Sequence, residues 1–557
     1  MEVNYPTCPN SFVQFVRKKT KLKIEPSIIR KISSERAPVN KAMQLKTPVY
    51  GLNTGLGGNL AHELNEEDIQ EFQAQLIKGR AVAIGESFSE EICRGVLLAR
   101  ILSAREGQSG ISVEAYKYLI QFWNGGFSST IPKIGSIGAG DLTQNAHFAL
   151  GLIGMSDIWS SGKKINLEKL KQEETLEPIR LKPKDGLALI NHKGVTISLA
   201  GFALQKVKQL YIAQEIVICS SLEAYQANIS IFSPSVNLGH EESGQINAAV
   251  GIEKRLSGSK INERKIQDAL SFRTIAPVFG ALGKAIERAE TLWLEDLLCS
   301  GDNPSVIDNK LISTPNFHSI ALSLQLEAVC LSISSVATAS VQRIQKMMDC
   351  NLSGLPKYLS PIGGSSAGMV PIQKTAAALL ARIRHAALPL AFDPAPVSDT
   401  IEDMAPMTSE VAKKLSKQLD DFRLIIAIEG MVAAQAIDLR GKIKASHSTK
   451  LFLSNLRLIV PKLSEDRPLG GDIEKPRRFW ISLANLEFLH RRRLLLSQAY
   501  ANSQKEIVVM IFGRFWVNFR AFLQKQYLQS VCRLSLRLLH RFHDSQTNRI
   551  YYHQRNR

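Results

Sequence analysis

The sequence predicts a mainly α-helical fold, a large elongated bundle around long central helices. Three stretches carry that expectation. Asn316 to Leu352 holds neither glycine nor proline, and Leu322, Leu326, Val329, Ile333 and Val336 recur along it at alternating four- and three-residue spacing. That spacing places them on one helical face. Phe202–Phe232 and Met407–Glu429 are likewise free of helix breakers. Each stretch is far longer than a mean helix of about 11–12 residues. Helices this long and this apolar suit the centre of a large bundle, or an oligomer built from shared helices. No internal repeat and no sustained heptad is present.

At 557 residues the chain exceeds one ordinary domain. Its 45% hydrophobic and 22% charged content fits a globular protein with a sizeable core, and excludes a collagen, a coiled-coil rod or a disordered chain. Seven cysteines, with no CxxC and no HxxxH pair, argue against a disulfide scaffold or a metal site. The compartment reads as reducing and cytoplasmic. The N-terminus lacks the apolar core of a signal peptide. No run approaches the roughly 18 apolar residues that a membrane span needs.

Charge is unevenly spread. Lys475 to Arg557 holds 16 Lys and Arg against three acids, a net +13 of the chain's +18, and 13 of its 38 aromatics. Two compositions therefore join near residue 475. The expected organisation is an N-terminal domain over 1–190, a long-helix domain over 191–474 and a basic aromatic tail over 475–557. Basic residues interleaved with aromatics can contact nucleic acid or an anionic membrane. The simpler reading is a helical appendage, or a segment without selected function.

Glycine clusters separate the helices at Gly51–Gly58, Gly135–Gly140 and Gly363-Gly364, with a smaller turn at Lys184-Asp185-Gly186. Such loops let backbone approach closely and can carry sites. The segment Ile134-Gly135-Ser136-Ile137-Gly138-Ala139-Gly140-Asp141-Leu142 leads a glycine loop into a helical run. A helix N-terminus there favours an anion, or Asp141 serves as the N-cap and satisfies those donors itself.

Five motifs in order carry a resemblance. They are Tyr50-Gly51-Leu52-Asn53-Thr54-Gly55, Asp185-Gly186-Leu187-Ala188-Leu189-Ile190-Asn191, Gln267-Asp268-Ala269-Leu270-Ser271-Phe272-Arg273, Asn316-Phe317-His318, and Glu402-Asp403. Over roughly residues 40–474 the chain resembles the histidine/phenylalanine/tyrosine ammonia-lyase family. The resemblance implies a fumarase/aspartase-type helical core, a homotetramer whose sites draw on several subunits, and elimination of ammonia from an aromatic amino acid. Some relatives move the amine to the β-carbon instead. It implies no external cofactor. The family's electrophile, 4-methylidene-imidazol-5-one, forms from an internal Ala-Ser-Gly whose serine supplies the methylidene.

That serine is absent. The family reads Gly-Ala-Ser-Gly-Asp-Leu, and this chain reads Gly138-Ala139-Gly140-Asp141-Leu142. Ser136 is near, but β-branched Ile137 follows it where a glycine is needed. Ala139-Gly140-Asp141 has no β-hydroxyl to eliminate, so the standard electrophile is not expected.

The other roles carry over by resemblance. Tyr50 aligns with the catalytic base, a phenol whose ordinary pKa near 10 must be lowered to act near neutrality. Arg273 aligns with the residue that grips the substrate carboxylate, a task suited to a guanidinium. Asn191 and Gln267 align with amides that orient the electrophile. Phe317 lines the ring pocket, and Glu402 lies near the amine. Leu270 stands where the family has a second tyrosine. Gly79-Arg80 replaces the ring-recognition pair, so Arg80 either meets an acidic ligand or pairs internally, with Glu402 a candidate. His147, His318 and His385 read as core or surface histidines. The sequence thus supports an amino acid lyase, a family member that binds an amino acid without turnover, or an interaction protein working through its tail.

Overall fold

The computed structural model describes residues 5–45, 49, 52, 66–166, 176–390, 396–398 and 400–475, with the side chains of 66–70 excepted. Tyr50, most of its loop, and the basic tail lie outside these residues, so the calls on them are carried by sequence alone.

Five helices frame the site. They are α1 (Leu142–Leu152), α2 (Gly194–Tyr225), α3 (Ile275–Leu298), α4 (Ile320–Met348) and α5 (Thr408–Arg440). The three long stretches predicted from sequence correspond to α2, α4 and α5, though α2 stops at Tyr225, where Gln226 turns to φ +60, rather than at Phe232. Two of them extend through glycine. α2 begins at Gly194 and runs through Gly201, because a side chain at Gly201 would press on the Trp293 indole of α3 at 3.0 Å. Trp293 also donates its Nε1–H to the Ile197 carbonyl at 2.8 Å. α5 continues past Glu429 and Gly430 to Arg440. Lys184 belongs to a turn closed by Asp185 N–H on the Lys182 carbonyl at 3.0 Å, while Asp185 and Gly186 are already helical. Lys184 sits at φ +71 as the N-cap of a short helix, Asp185–Ile190.

α2 and α4 are long and apolar enough by composition to cross a membrane, contrary to the reading from uninterrupted runs. The 18-residue apolar window within Asp185–Tyr225 is 94% buried inside the protein, as in the core helix of a bundle, and that within α4 is 50% buried.

One buried ion pair ties the long helices together. Arg343 of α4 donates from Nε and Nη2 to Glu429 of α5 at 2.6 and 3.0 Å. Gln214 and Ser221 of α2 donate to the same carboxylate at 2.9 Å each, and Ser340 of α4 completes the set. A buried carboxylate needs that many partners. Small antiparallel sheets edge the bundle. One pairs Ile84–Ser87 with Pro132–Ile134 and delivers the chain into the glycine loop. A second joins Phe127–Ser129, Ile158–Ser160 and Lys163–Ile165, and a hairpin pairs Ser305–Ile307 with Lys310–Ile312.

Candidate active site

The glycine loop 135–141 is closed by backbone and side-chain hydrogen bonds. Met407 N–H donates to the Ile137 carbonyl at 2.9 Å, and Gly140 N–H to the Phe317 carbonyl at 3.3 Å. The Gly140 carbonyl accepts from His192 N–H at 3.2 Å and from Asn145 Nδ2 at 3.1 Å. Ala139 bridges antiparallel to His318. Gly138, at φ +83, lies so close to the start of α5 that a Cβ would sit 2.8 Å from the Thr408 nitrogen.

The N-termini of α1, α2, α4 and α5 all lie at this loop. α1 starts directly after Asp141, and α2 is reached through Thr196. α4 follows Phe317-His318, and α5 follows Met407. Each contributes partial positive charge from unpaired N–H groups.

Asp141 answers that field, though not as expected. It occupies the N-cap position of α1 at φ +49, yet its side chain makes no bond there. Instead it crosses to α2, where Thr196 donates N–H to Oδ2 at 2.8 Å and Oγ1–H to Oδ1 at 3.1 Å. Ser136 Oγ donates to Oδ1 at 2.5 Å. Burial pushes the Asp141 carboxyl up, and the donors from Ser136, Thr196 and Val195 pull it back down. The Ser136 hydroxyl is thus committed to Asp141, and its oxygen also accepts from Gly138 N–H at 2.9 Å.

Asn191, in the loop before α2, stands over Gly140. A Cβ at Gly140 would lie 2.3 Å from Asn191 Oδ1, and Phe317 Cβ would be 3.6 Å away. Asn191 Nδ2 donates to the Asn303 carbonyl at 3.1 Å, which fixes the amide with its oxygen toward Gly140. Glu402 is half-buried and pairs its backbone with Val397, five residues before the Met407 contact. Arg80 ends the helix Glu66–Arg80, half-buried. Ala139, Gly140, Asp141, Asn191 and Phe317 therefore form one group, with the Glu402 segment leading into it.

Gln267 and Arg273 form another. Arg273 Nη1 donates to Gln267 Oε1 at 2.9 Å, and both side chains are exposed. Between them Phe272 is buried and stacks on Tyr225, with ring centroids 4.2 Å apart. Tyr225 is the last residue of α2, whereas Thr196 lies in its first turn. At 1.5 Å per residue the two groups stand roughly 44 Å apart along that helix. One copy does not unite them.

His147 and His318 keep Nε2 without a hydrogen-bond partner, and burial lowers both imidazoles below their ordinary range. Among the described residues no three His, Cys, Asp or Glu side chains cluster as metal ligands. The residues that sequence reasoning missed are Thr196 and Met407. Thr196 lies 55 positions from Asp141, and Met407 acts through backbone, so neither leaves a local signal.

A helical bundle whose loop, amide and aromatic residues converge in this way defines an amino acid lyase architecture, and the comparisons agree. The aromatic amino acid lyase family model matches residues 8–458. The chain belongs to the aromatic amino acid lyase family, whose members act on amino acids. The match begins well before residue 40, where the motifs had suggested it starts. A histidine ammonia-lyase from Deinococcus radiodurans is 30% identical over 475 residues, covering 84% of this chain and 90% of the relative. Among solved structures, the ergothioneine-degrading enzyme ergothionase from Treponema denticola, in complex with desmethyl-ergothioneine sulfonic acid, aligns with a TM-score of 0.82 at 29% identity. It covers 87% of this chain and 98% of that one. Histidine ammonia-lyase from Trypanosoma cruzi aligns with a TM-score of 0.78 at 27% identity, covering 86% and 91%.

Proposed function

We propose that this chain is a carbon–nitrogen lyase that expels the α-nitrogen of an imidazole-bearing α-amino acid, carried as its trimethylammonium betaine, by α,β-elimination. Tyr50 is the base that takes the Cβ proton, and Arg273 grips the carboxylate. Phe317 and Arg80 face the ring, and Glu402 lies beside the nitrogen. The 44 Å span between the Gly140 and Arg273 groups, roughly set by α2, supports a site assembled from several copies, as in a homotetramer. The division into 1–190, 191–474 and a tail, and a cytoplasmic setting, belong to the same reading.

The observation that carries the reading furthest is the loop at Gly140. The residues present do not fit the family's imidazolone. Ala139-Gly140-Asp141 offers no hydroxyl to lose. The Ser136 hydroxyl is held by Asp141, and the Ile137 carbonyl by Met407 N–H. An unmodified amino group leaves poorly without an electrophile. A quaternary ammonium does not need one. Ergothioneine is an imidazole-bearing betaine whose α-nitrogen is a trimethylammonium, and an ergothionase is among the similar structures. In that elimination the base removes the Cβ proton, the electron pair forms Cα=Cβ, the Cα–N bond breaks, and neutral trimethylamine departs.

The test is to offer purified protein L-histidine, L-phenylalanine, L-tyrosine and ergothioneine. Ammonia, trimethylamine and the absorbance of the unsaturated acid are then measured. Trimethylamine from ergothioneine without ammonia from the others is the expected result. Ammonia from L-histidine overturns the leaving-group argument and keeps the lyase. Ligand-dependent thermal stabilisation without any turnover replaces the lyase with an amino-acid-binding member of the family.

A further inference from the structure

The segment that presents Arg273 is held from behind, and the holding group is specific. The side chains of Gln267 and Arg273 face outward and bond one another at 2.9 Å. Flanking them, Ile266 is 96% exposed and Leu270 66% exposed. On the inner side the segment has three fastenings. Phe272 stacks on Tyr225 at an interplanar angle of 14°. Asp268 Oδ2 accepts from Asn228 N–H at 2.7 Å. Arg343, which is 1% exposed, donates from Nη1 to the Ser271 carbonyl at 3.1 Å.

The guanidinium of Arg343 is therefore divided. Nε and Nη2 are fixed on Glu429, and Glu429 is itself fixed by Gln214, Ser221 and Ser340. The remaining fork lies over a carbonyl two residues before Arg273. A planar, five-donor group can hold both partners at once, and a lysine ammonium on a flexible stem cannot reproduce that fork. The Ser271 contact does not neutralise Glu429, which already has its partners. Its effect falls on the backbone that carries Arg273.

We propose that Arg343 is a positioning residue for Arg273, setting the backbone from which the carboxylate grip is presented. The inference rests on the reading of Arg273 as the carboxylate-binding residue. Arg343 does not touch substrate. It transmits the rigidity of the α2–α4–α5 ion cluster to the short helix Leu270–Arg273 that carries the grip. Precise placement of a bidentate donor is what separates a strong carboxylate contact from a weak one.

The experiment measures how well the full chain discriminates L-histidine from histamine, which lacks the carboxylate, by titration calorimetry at 25 °C. The readout is the ratio of the two dissociation constants. Three variants are compared: Arg343→Lys, Arg273→Lys, and Trp293→Phe. The last loses a buried hydrogen bond to Ile197 and serves as a destabilised control remote from the segment. Arg343→Lys is expected to shrink the ratio roughly tenfold, as loss of one well-placed charged contact would, with histamine affinity unchanged. Trp293→Phe is expected to keep the wild-type ratio. If Arg273→Lys shrinks the ratio while Arg343→Lys matches Trp293→Phe, the positioning role is overturned and the carboxylate reading stands. If Arg273→Lys leaves the ratio unchanged, or wild type shows no preference for L-histidine, the carboxylate reading falls and this inference with it.

Discussion

Asp141 and Thr196 join the start of one helix to the start of another. The carboxylate sits at the N-cap position of α1 but accepts both donors of Thr196, inside the first turn of α2, at 2.8 and 3.1 Å. The candidate site is built on that crossing, since Gly140 precedes Asp141 and Asn191 precedes α2. Replacing Asp141 by alanine should remove several charge-assisted bonds at once and lower stability by about 3 kcal/mol. Thr196→Val, which keeps the backbone donor, should have a markedly smaller effect. Chemical denaturation of both variants checks the ranking, and equal losses would show that the carboxylate does not organise the loop.

Gly140→Ser returns a hydroxyl to the loop and should not return the electrophile. Gly140 has φ +74, and its Cβ would meet Asn191 Oδ1 at 2.3 Å. The variant is expected to be destabilised, with the peptide from Ile134 to Lys163 at its encoded mass. A deficit of two waters, in this variant or in wild type, would mean that the loop cyclises after all. Inserting a serine between Ala139 and Gly140 restores the family's Ala-Ser-Gly and is the variant in which that deficit is expected.

The separation of the Gly140 and Arg273 groups makes a complementation test possible. Asn191→Ala and Arg273→Ala should each abolish or strongly reduce turnover alone. Mixed assemblies made by co-expression should regain part of the activity, because some sites receive both intact residues from different copies. No recovery in proven mixed assemblies would place both residues in the same chain's site.

Lys184 supplies a pH prediction. Its ammonium is fully buried, donating to the Ser109 carbonyl, and burial brings its pKa down to about 8 from 10.5. The unfolded chain therefore binds the proton more tightly, and stability from this group rises as pH climbs from about 8 to 10.5. It is lost again as pH falls back through 8. Between pH 8 and 10 wild type should gain stability relative to Lys184→Met, measured by denaturant midpoints of the two proteins at each pH. Parallel midpoints would show that the lysine stays protonated in the fold.

Much of this was legible in the sequence, for identifiable reasons. The long helices announced themselves because glycine and proline are absent from Phe202–Phe232, Asn316–Leu352 and Met407–Glu429. Their true ends were harder to see. Gly201 and Gly430 look like breakers, yet Gly201 is small because Trp293 lies against it. The loop residues Ala139, Gly140 and Asp141 and the amide of Asn191 could be named from motifs. The partner that Asp141 takes could not be, since capping rules look to the adjacent helix and the donor lies on another. Gln267 and Arg273 were named together with Asn191 as one site, and sequence order gives no hint that a whole helix stands between them.

The closure around Gly140 also bears on ancestry. Ser136 is occupied, Gly140 has no room for a side chain, and the register from Asp141 onward is tied to Thr196. No single-base substitution in the gene rebuilds Ala-Ser-Gly from this state; it takes an in-frame codon, or Gly138→Ala and Ala139→Ser together, the first at φ +83 where a Cβ would meet the Thr408 nitrogen at 2.8 Å. A lineage with this shortened loop can repair other residues of the pocket one base at a time, but no one such step recovers the original chemistry. Selection on such a gene is then confined to substrates, or roles, that the shortened loop already serves.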